Sequence, residues 1–311
     1  MAIPTGTLTS SSTISNLVQT AYDQYVRMAL RSIPVMRALA DVKPVQQAMP
    51  GSSVVFSIYS DLSTATGTLT ETSDVSSVAL GNPSQVTVTL NEYGNAVTTT
   101  KKLNLTSFND VDAALADVIA YNAADSIDVV VANVLTAGTN VIYGGTATGT
   151  SGITASGTMT VADIREAVVQ LRTNKAVPRI GELYAAYLHP RQSADLRAEA
   201  GTGGFQELTK YVERTPFVAG AVGVIEGAFV VETPRVLSGS NGASPAVTVY
   251  KAVVAGREAL AEAQAADIST VIGPEIDALR RFRTIGWYYF GGFNRLREAA
   301  LYRIETAASI S

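Results

Sequence analysis

One segment sets the scale of anything this chain can fold into. From about Ser107 to Thr136, Val111, Leu115, Val118, Ile119, Ile127, Val130, Val131, Val134 and Leu135 recur at helical spacing. Asp110 and Asp112 fall in its first turn, where the helix dipole favours negative charge. Gly138 lies just past its end, where a left-handed cap residue is expected. Such a helix would be about 45 Å long, longer than a small domain is wide. The remainder of the fold has to pack along it as along a spine.

The flanking segments are of mixed type. Residues 1–13 form a Thr/Ser-rich arm without periodicity. From Ser15, the residues Leu17, Val18, Ala21, Tyr22, Tyr25, Met28 and Ala29 predict a helix interrupted by Pro34. Val54–Tyr59 reads as a strand, and Gln85–Leu90 alternates as a half-buried strand should. A turn at Tyr93-Gly94-Asn95 is expected to lead into another strand, Ala96–Thr100. Between the first two strands lies a Ser/Thr-rich stretch, residues 61–84, so the pair predicts a long hairpin reaching away from the body. Loops of that length in a compact domain usually carry function or contacts.

Beyond the spine, Thr160 and Asp163 are placed to form a capping box for a helix carrying Val161, Ile164, Val168 and Leu171. Tyr184–Leu188 predicts a buried strand, and Pro190 suits the first turn of a short helix through Leu196. Ala228–Glu232 and Val247–Val254 predict strands joined by a polar loop, Ser238–Ser244. The closing aromatic segment predicts strand, with a break or bulge at Gly291-Gly292. Helices and strands alternate without a regular βαβ repeat, which predicts an α+β fold.

Composition excludes several classes. Only 16% of residues are charged, against about 25% in an average soluble domain. Lys and Arg number 23 and Asp and Glu 27, a net charge of −4, while 47% of residues are apolar. That is too apolar and too weakly charged for a disordered chain. It also lacks the positive excess of a nucleic-acid reader. With no Cys there is no disulfide framework, zinc thiolate site or thiol nucleophile. The first residues carry no basic and apolar signal pattern. No apolar stretch approaches the ~18 residues of a membrane span, so a soluble chain acting in a cytoplasm is expected.

Motifs for chemistry are sparse. His189 is the only His, and no G-x-S-x-G elbow supports a triad with Asp195. Capping or packing next to Pro190 accounts for it better. Gly201-Thr202-Gly203-Gly204 and Gly144-Gly145 match no phosphate-loop pattern. Asp125 and Asp128 could share a helix face and bind Mg²⁺, but a solvated face or pairing with Arg is the expected role. Arg280, Arg281 and Arg283 sit beside Trp287, Tyr288 and Tyr289. The acidic chain argues for a protein contact there over a nucleic-acid one.

The order of arm, long hairpin, spine helix, mixed α/β region and aromatic strand resembles the major capsid proteins of tailed phages of the Hong Kong 97 type. Glu92-Tyr93-Gly94-Asn95 through Lys102-Leu103 is similar to the strand leaving the extended loop in coat proteins of phage N4 and its relatives. Leu135–Asn140, Thr160–Arg165, His189-Pro190 and Ile285-Gly286-Trp287 resemble further stretches of that family, over about residues 15–306. The resemblance implies an arm and helix at 1–50 and an extended loop and peripheral domain with the spine at 51–136. It implies an axial domain at 137–280, then a return strand and C-terminal axial segment at 281–311.

On that resemblance the chain is a non-enzymatic shell subunit needing no cofactor or metal. It would assemble in the host cytoplasm into pentamers and hexamers of an icosahedral virion capsid around double-stranded DNA. Its expected partners are itself, a portal, and scaffold or decoration proteins, with no membrane. Self-assembly is expected through Leu62, Thr64, Leu69, Glu71, Val75, Val78 and Leu80 of the extended loop. A second subunit contact is expected through Arg280, Arg281, Arg283, Trp287 and Tyr289. Some shells of this kind are cross-linked from a loop Lys to an Asn. No Lys occurs here between Lys43 and Lys101, so no such link is expected. The alternatives are an encapsulin-like compartment shell, a surface-layer or fibre protein, and a cytosolic enzyme.

Overall fold

The structure is a computed structural model that describes residues 35–44, 52–59, 61–72, 74–75, 77–106, 111–199, 221–243 and 246–310. The arm, the helix expected from Ser15, the start of the spine at Ser107 and the Gly201–Gly204 loop lie outside them. The order begins with strands β1 (Ala40–Pro44), β2 (Ser53–Ile58), β3 (Ser84–Thr89) and β4 (Asn91–Thr100). Helices α1 (Lys101–Thr106) and α2 (Val111–Thr136) follow, then β5 (Val141–Tyr143), α3 (Val161–Thr173), β6 (Tyr184–Leu188) and α4 (Pro190–Ala198). The rest is strand: β7 (Ala221–Ile225), β8 (Ala228–Glu232), β9 (Ser238–Gly239), β10 (Val249–Ala255), β11 (Leu260–Ile276), β12 (Phe282–Arg295) and β13 (Leu301–Thr306). The α+β expectation is met.

Helix α2 has 26 residues, which makes it about 39 Å long. Ile119, Ala123, Ile127, Val131 and Leu135 are buried, each four residues from the last. They form one ridge along the helix, and Asp128, Ala132 and Thr136 form the buried ridge beside it. Leu115–Thr136 is long and apolar enough to cross a membrane. That corrects the expectation that no segment is. In the fold this stretch lays its two buried ridges in the main core.

The spine ends differently from the sequence expectation. Gly138 is not left-handed. A Cβ there would lie 2.9 Å from Glu298 Oε1, so close approach accounts for the glycine. The orphan carbonyls of the last turn are taken by arginines. Arg295 Nη1 donates to Val134 O at 3.0 Å, and Arg303 Nη1 donates to Thr136 O and, at 3.1 Å, to Gly138 O. Positive charge at this end also opposes the helix dipole.

A four-stranded sheet, in the order β1-β11-β12-β4, lies beside the spine. β11 and β12 form a long antiparallel hairpin with register shifts after Gln264, Ala266 and Ile272. β12 itself runs unbroken through Gly291-Gly292, so of the expected break or bulge it is the bulge that forms. The extra residue sits on β11, where the register shifts between Gln264, opposite Gly291, and Ala266, opposite Phe290. At Gly292 a Cβ would lie 2.0 Å from Thr89 O, so this glycine lets β3 cross β12 in contact. The turn expected at Tyr93-Gly94-Asn95 is also absent. β4 is continuous there, and a Cβ on Gly94 would lie 2.7 Å from Trp287 O.

The second sheet has the order β5-β13-β10-β6-β8-β7, with β9 paired to β10. β6 is buried along its whole length, as its apolar run predicts. The segment expected as one unit at 137–280 divides at its end. β11 belongs to the first sheet, while β13 returns to the second. Helix α3 carries the expected capping box. Thr160 Oγ1 accepts from the Asp163 N–H at 3.3 Å, and the Thr160 N–H donates to Asp163 at 2.9 Å. Thr160→Ala should therefore lower unfolding stability by about 1 kcal/mol, measurable by denaturant titration.

Candidate assembly surfaces

β2 and β3 pair from Ser53 opposite Thr89 to Ile58 opposite Ser84. The base of this hairpin is fixed. Val54, Val88 and Leu90 are buried with Ala261 and Ala263, beside Phe56, Phe290 and Leu296. Asn294 Nδ2 donates to Thr87 O at 2.8 Å. Beyond Ile58 and Ser84 the chain enters no sheet, and every described residue from Asp61 to Asn82 is exposed. Thr64 and Glu71 lie in this stretch. So do Leu62, Leu69, Val75, Val78 and Leu80, at 58, 77, 60, 68 and 58% exposure. Five large apolar side chains on one exposed loop are the kind of surface that marks interaction sites in general.

The second expected contact splits in two. Arg280, Arg281 and Arg283 are exposed around the β11–β12 turn, and Arg281 pairs with Asp277 of the same turn. Trp287 and Tyr289 are instead core residues, 6% and 0% exposed. With Ile285 they form the inward-facing alternate positions of β12. Trp287 Nε1 donates to Asn122 Oδ1 on the spine at 3.0 Å. These two aromatics are therefore corrected from subunit contacts to parts of the subunit's own core.

Sequence reasoning missed a buried polar network. Glu262 is fully buried. It accepts from Arg37 Nε at 3.1 and 3.2 Å, from Arg37 Nη2 at 2.6 Å and from the Tyr289 hydroxyl at 2.9 Å. Burial, then the neighbouring Glu262 carboxylate, pushes the Tyr289 hydroxyl far above the usual phenol range. Asp128 is also fully buried. It accepts the backbone N–H groups of Val35, Met36 and Arg37 at 3.3, 2.7 and 3.1 Å. Burial pushes its carboxyl upward, against those hydrogen bonds. The residues just before β1 are thus fastened to both the spine and the first sheet. The only sequence signal was Asp128, an acid falling among the apolar positions Ile127, Val130 and Val131 of the spine.

Asp125 and Asp128 do not converge on a metal. Asp125 pairs with Arg235, and Asp128 holds the chain at Val35–Arg37. Among the described residues no group of three or more His, Cys, Asp and Glu could hold one. His189 caps α4, with Nδ1 accepting from the Arg191 N–H at 3.2 Å, and its ring lies 4.5 Å from Tyr250. Burial, then Arg191, lowers its pKa. Asp195 binds the Ser309 N–H at 3.0 Å, so it is not the His189 orienter of a triad.

A long spine beside a long-stranded sheet, a second α/β sheet and an uncovered hairpin loop define a structural subunit whose surface is completed by other molecules. The sequence profile described as "Phage capsid protein" matches residues 9–310, and the chain belongs to that family. Its fold is the Hong Kong 97-type capsid fold, and it is a structural major capsid protein. The capsid of Ralstonia phage GP4 aligns with a TM-score of 0.76 at 17% identity, over 94% of this chain and 96% of that one. The Cyanophage Pam1 capsid aligns at 0.72 and 14% identity, over 99% and 100%. The capsid of a native GTA particle aligns at 0.67 and 15% identity, over 97% and 100%. No curated protein sequence matches the chain. The compartment-shell alternative is not favoured by these matches.

Proposed function

We propose that this chain forms the pentamers and hexamers of an icosahedral shell around double-stranded DNA, and that it does no chemistry of its own. The observation that carries this is the hairpin loop 61–82, fixed at its base and uncovered along its length. Each copy lays that loop on a neighbour and buries Leu62, Leu69, Val75, Val78 and Leu80 there. Rings close because such contacts are head-to-tail and related by rotation. The first sheet with the spine serves as the peripheral part and the second sheet as the axial part. A portal closes one vertex, and scaffold or decoration proteins act from outside the chain. Assembly takes place in the host cytoplasm. The net charge of −4 suits a wall that does not grip its genome. Within the family, the stretches at Glu92–Leu103 and Leu135–Asn140 support kinship with the coat proteins of phage N4 and its relatives.

Electron microscopy of the purified chain should show closed polyhedral particles; small monodisperse particles would favour an enzyme. The same shells, denatured, should run as a single monomer band, because no Lys lies between Lys43 and Lys101. A ladder of covalent multimers would overturn the absence of a loop cross-link.

A further inference from the structure

His189 is the only His in the sequence, and His is the one side chain whose ordinary pKa puts its charge change between pH 5 and 8. It stands where a proton breaks a bond. As N-cap of α4 its Nδ1 accepts the Arg191 N–H at 3.2 Å, while its own N–H donates to Gln192 Oε1 at 3.2 Å. The Thr160 hydroxyl caps α3 in the same way and can accept at any pH. An imidazole nitrogen accepts only while it is unprotonated.

A proton on Nδ1 sets two N–H groups against each other. It also adds positive charge to a helix end that the dipole already makes positive. The surroundings do not compensate. Burial, then Arg191 on α4 itself, holds the pKa of His189 down. Tyr250 of β10 packs on the ring, but its hydroxyl already accepts from Arg191 Nη1 at 2.7 Å. The carboxylates of the neighbouring elements are engaged elsewhere, Glu232 of β8 with Ser193 and Arg197, Asp195 of α4 with Ser309, and Glu305 of β13 with Thr150. Among the described residues no carboxylate favours the charged ring.

The same helix holds the segment that follows β13. Gln192 is fully buried, and its Nε2 donates to Tyr250 O at 3.2 Å and to Thr306 Oγ1 at 2.7 Å. Tyr250 and Thr306 face each other at the end of the β10–β13 ladder, so Gln192 braces its last rung. One turn further along α4, Asp195 accepts the Ser309 N–H at 3.0 Å and the Ser309 hydroxyl. We infer that His189 is an acid-operated latch: a proton on its ring loosens α4 and releases the segment from Thr306 to Ser309 that α4 holds. The direction is fixed by the cap. The stability that the neutral ring contributes is complete above the usual imidazole value of about 6.5, and it is lost as pH falls through the lower value of the folded chain.

Hydrogen exchange of the full chain at pH 7.5 and pH 5, read by mass spectrometry and corrected for intrinsic rates, tests this. On acidification the peptides covering 190–198 and 307–310 should both exchange about fivefold faster, the equilibrium change that one helix cap is worth. His189→Asn keeps a capping oxygen that no proton removes. Both peptides should then stay slow at pH 5. Over the same interval the melting temperature of this variant should fall by about 2 °C less than that of the wild type. Asp195→Ala cuts the link to Ser309, so 307–310 should exchange fast at both pH values while 190–198 still responds to acid. If His189→Asn keeps the full acid response of the wild type, the sensor is another group and the latch is wrong. If acid quickens 190–198 in the wild type but leaves 307–310 slow, the cap yields without releasing the segment, which also overturns the proposal.

Discussion

Removing residues 62–83 should leave a folded subunit that no longer closes into shells. No described residue of the removed stretch is buried. The hairpin base keeps Val54, Val88 and Leu90 in their cluster, and three residues, 59–61, remain to connect Ile58 to Ser84. Three is an ordinary hairpin loop length. Monomer stability should therefore change by no more than about 0.5 kcal/mol, the usual range for changes away from buried features.

Assembly loses far more. Fully burying one large apolar side chain is worth about 1.5–3 kcal/mol, and the deletion removes five per subunit. Ordering a loop of this length on a neighbour offsets part of that sum. What remains is still large against an assembly equilibrium, and it recurs at every subunit. Size-exclusion chromatography with light scattering, together with thermal melting, reads both halves of the expectation. Shells of normal size from the deletion variant would show that the loop is not the joining element.

Glu262→Ala should be the most damaging single substitution inside the subunit. It leaves the Arg37 guanidinium and the Tyr289 hydroxyl without their shared acceptor. Breaking one side of a buried ion pair costs about 3–5 kcal/mol. The lower end applies, because the Arg37 side chain is 30% exposed and Asp267 lies 3.6 Å away to take part of its charge. The denaturant midpoint of the monomer should fall accordingly. Glu262→Gln, which keeps an acceptor for Tyr289, should fall less. Glu71→Ala on the exposed loop should leave the midpoint unchanged. Equal midpoints for Glu262→Ala and wild type would mean that the network adds nothing to stability.

The parts of the fold that sequence reveals are those whose residues repeat with the period of the element. The spine shows its ridge from Ile119 to Leu135, the hairpin base its alternation from Val86 to Leu90, and α3 its Thr160–Asp163 box. β11 is the instructive miss. Its sequence, Leu260 to Ile276, begins with a run of Ala, Glu and Gln that favours helix by propensity. It is a strand because β1 and β12 pair with it on both sides, and only the tertiary fold supplies those neighbours. Glycines mislead for a related reason. Gly94, Gly138 and Gly292 all read as turn, cap or break, yet each marks a close approach by a carbonyl or carboxylate oxygen from a distant segment.

The exposure of the loop residues was legible because apolar side chains in a Ser/Thr-rich stretch have no internal core to enter. Trp287 and Tyr289 were misplaced because an aromatic cluster next to Arg has the same composition in a core as at an interface. Only the alternation of β12 against the spine decides between them. Glu262 and Asp128 left almost no trace, since the Arg37 side chain and the Met36 N–H that they bind lie 225 and 92 residues away in sequence.

The end of the spine has a mechanical consequence. Arg295 closes the first sheet's long strand and Arg303 sits in the second sheet, yet both grip the carbonyls of the same last helical turn. A swing of one sheet against the other would have to tear charged hydrogen bonds from a helix terminus. The joint between the two halves is therefore a weld, not a hinge. In the proposed rings of five and of six the subunit then finds its give in the hairpin, whose described outer residues, Asp61 to Asn82, are all exposed.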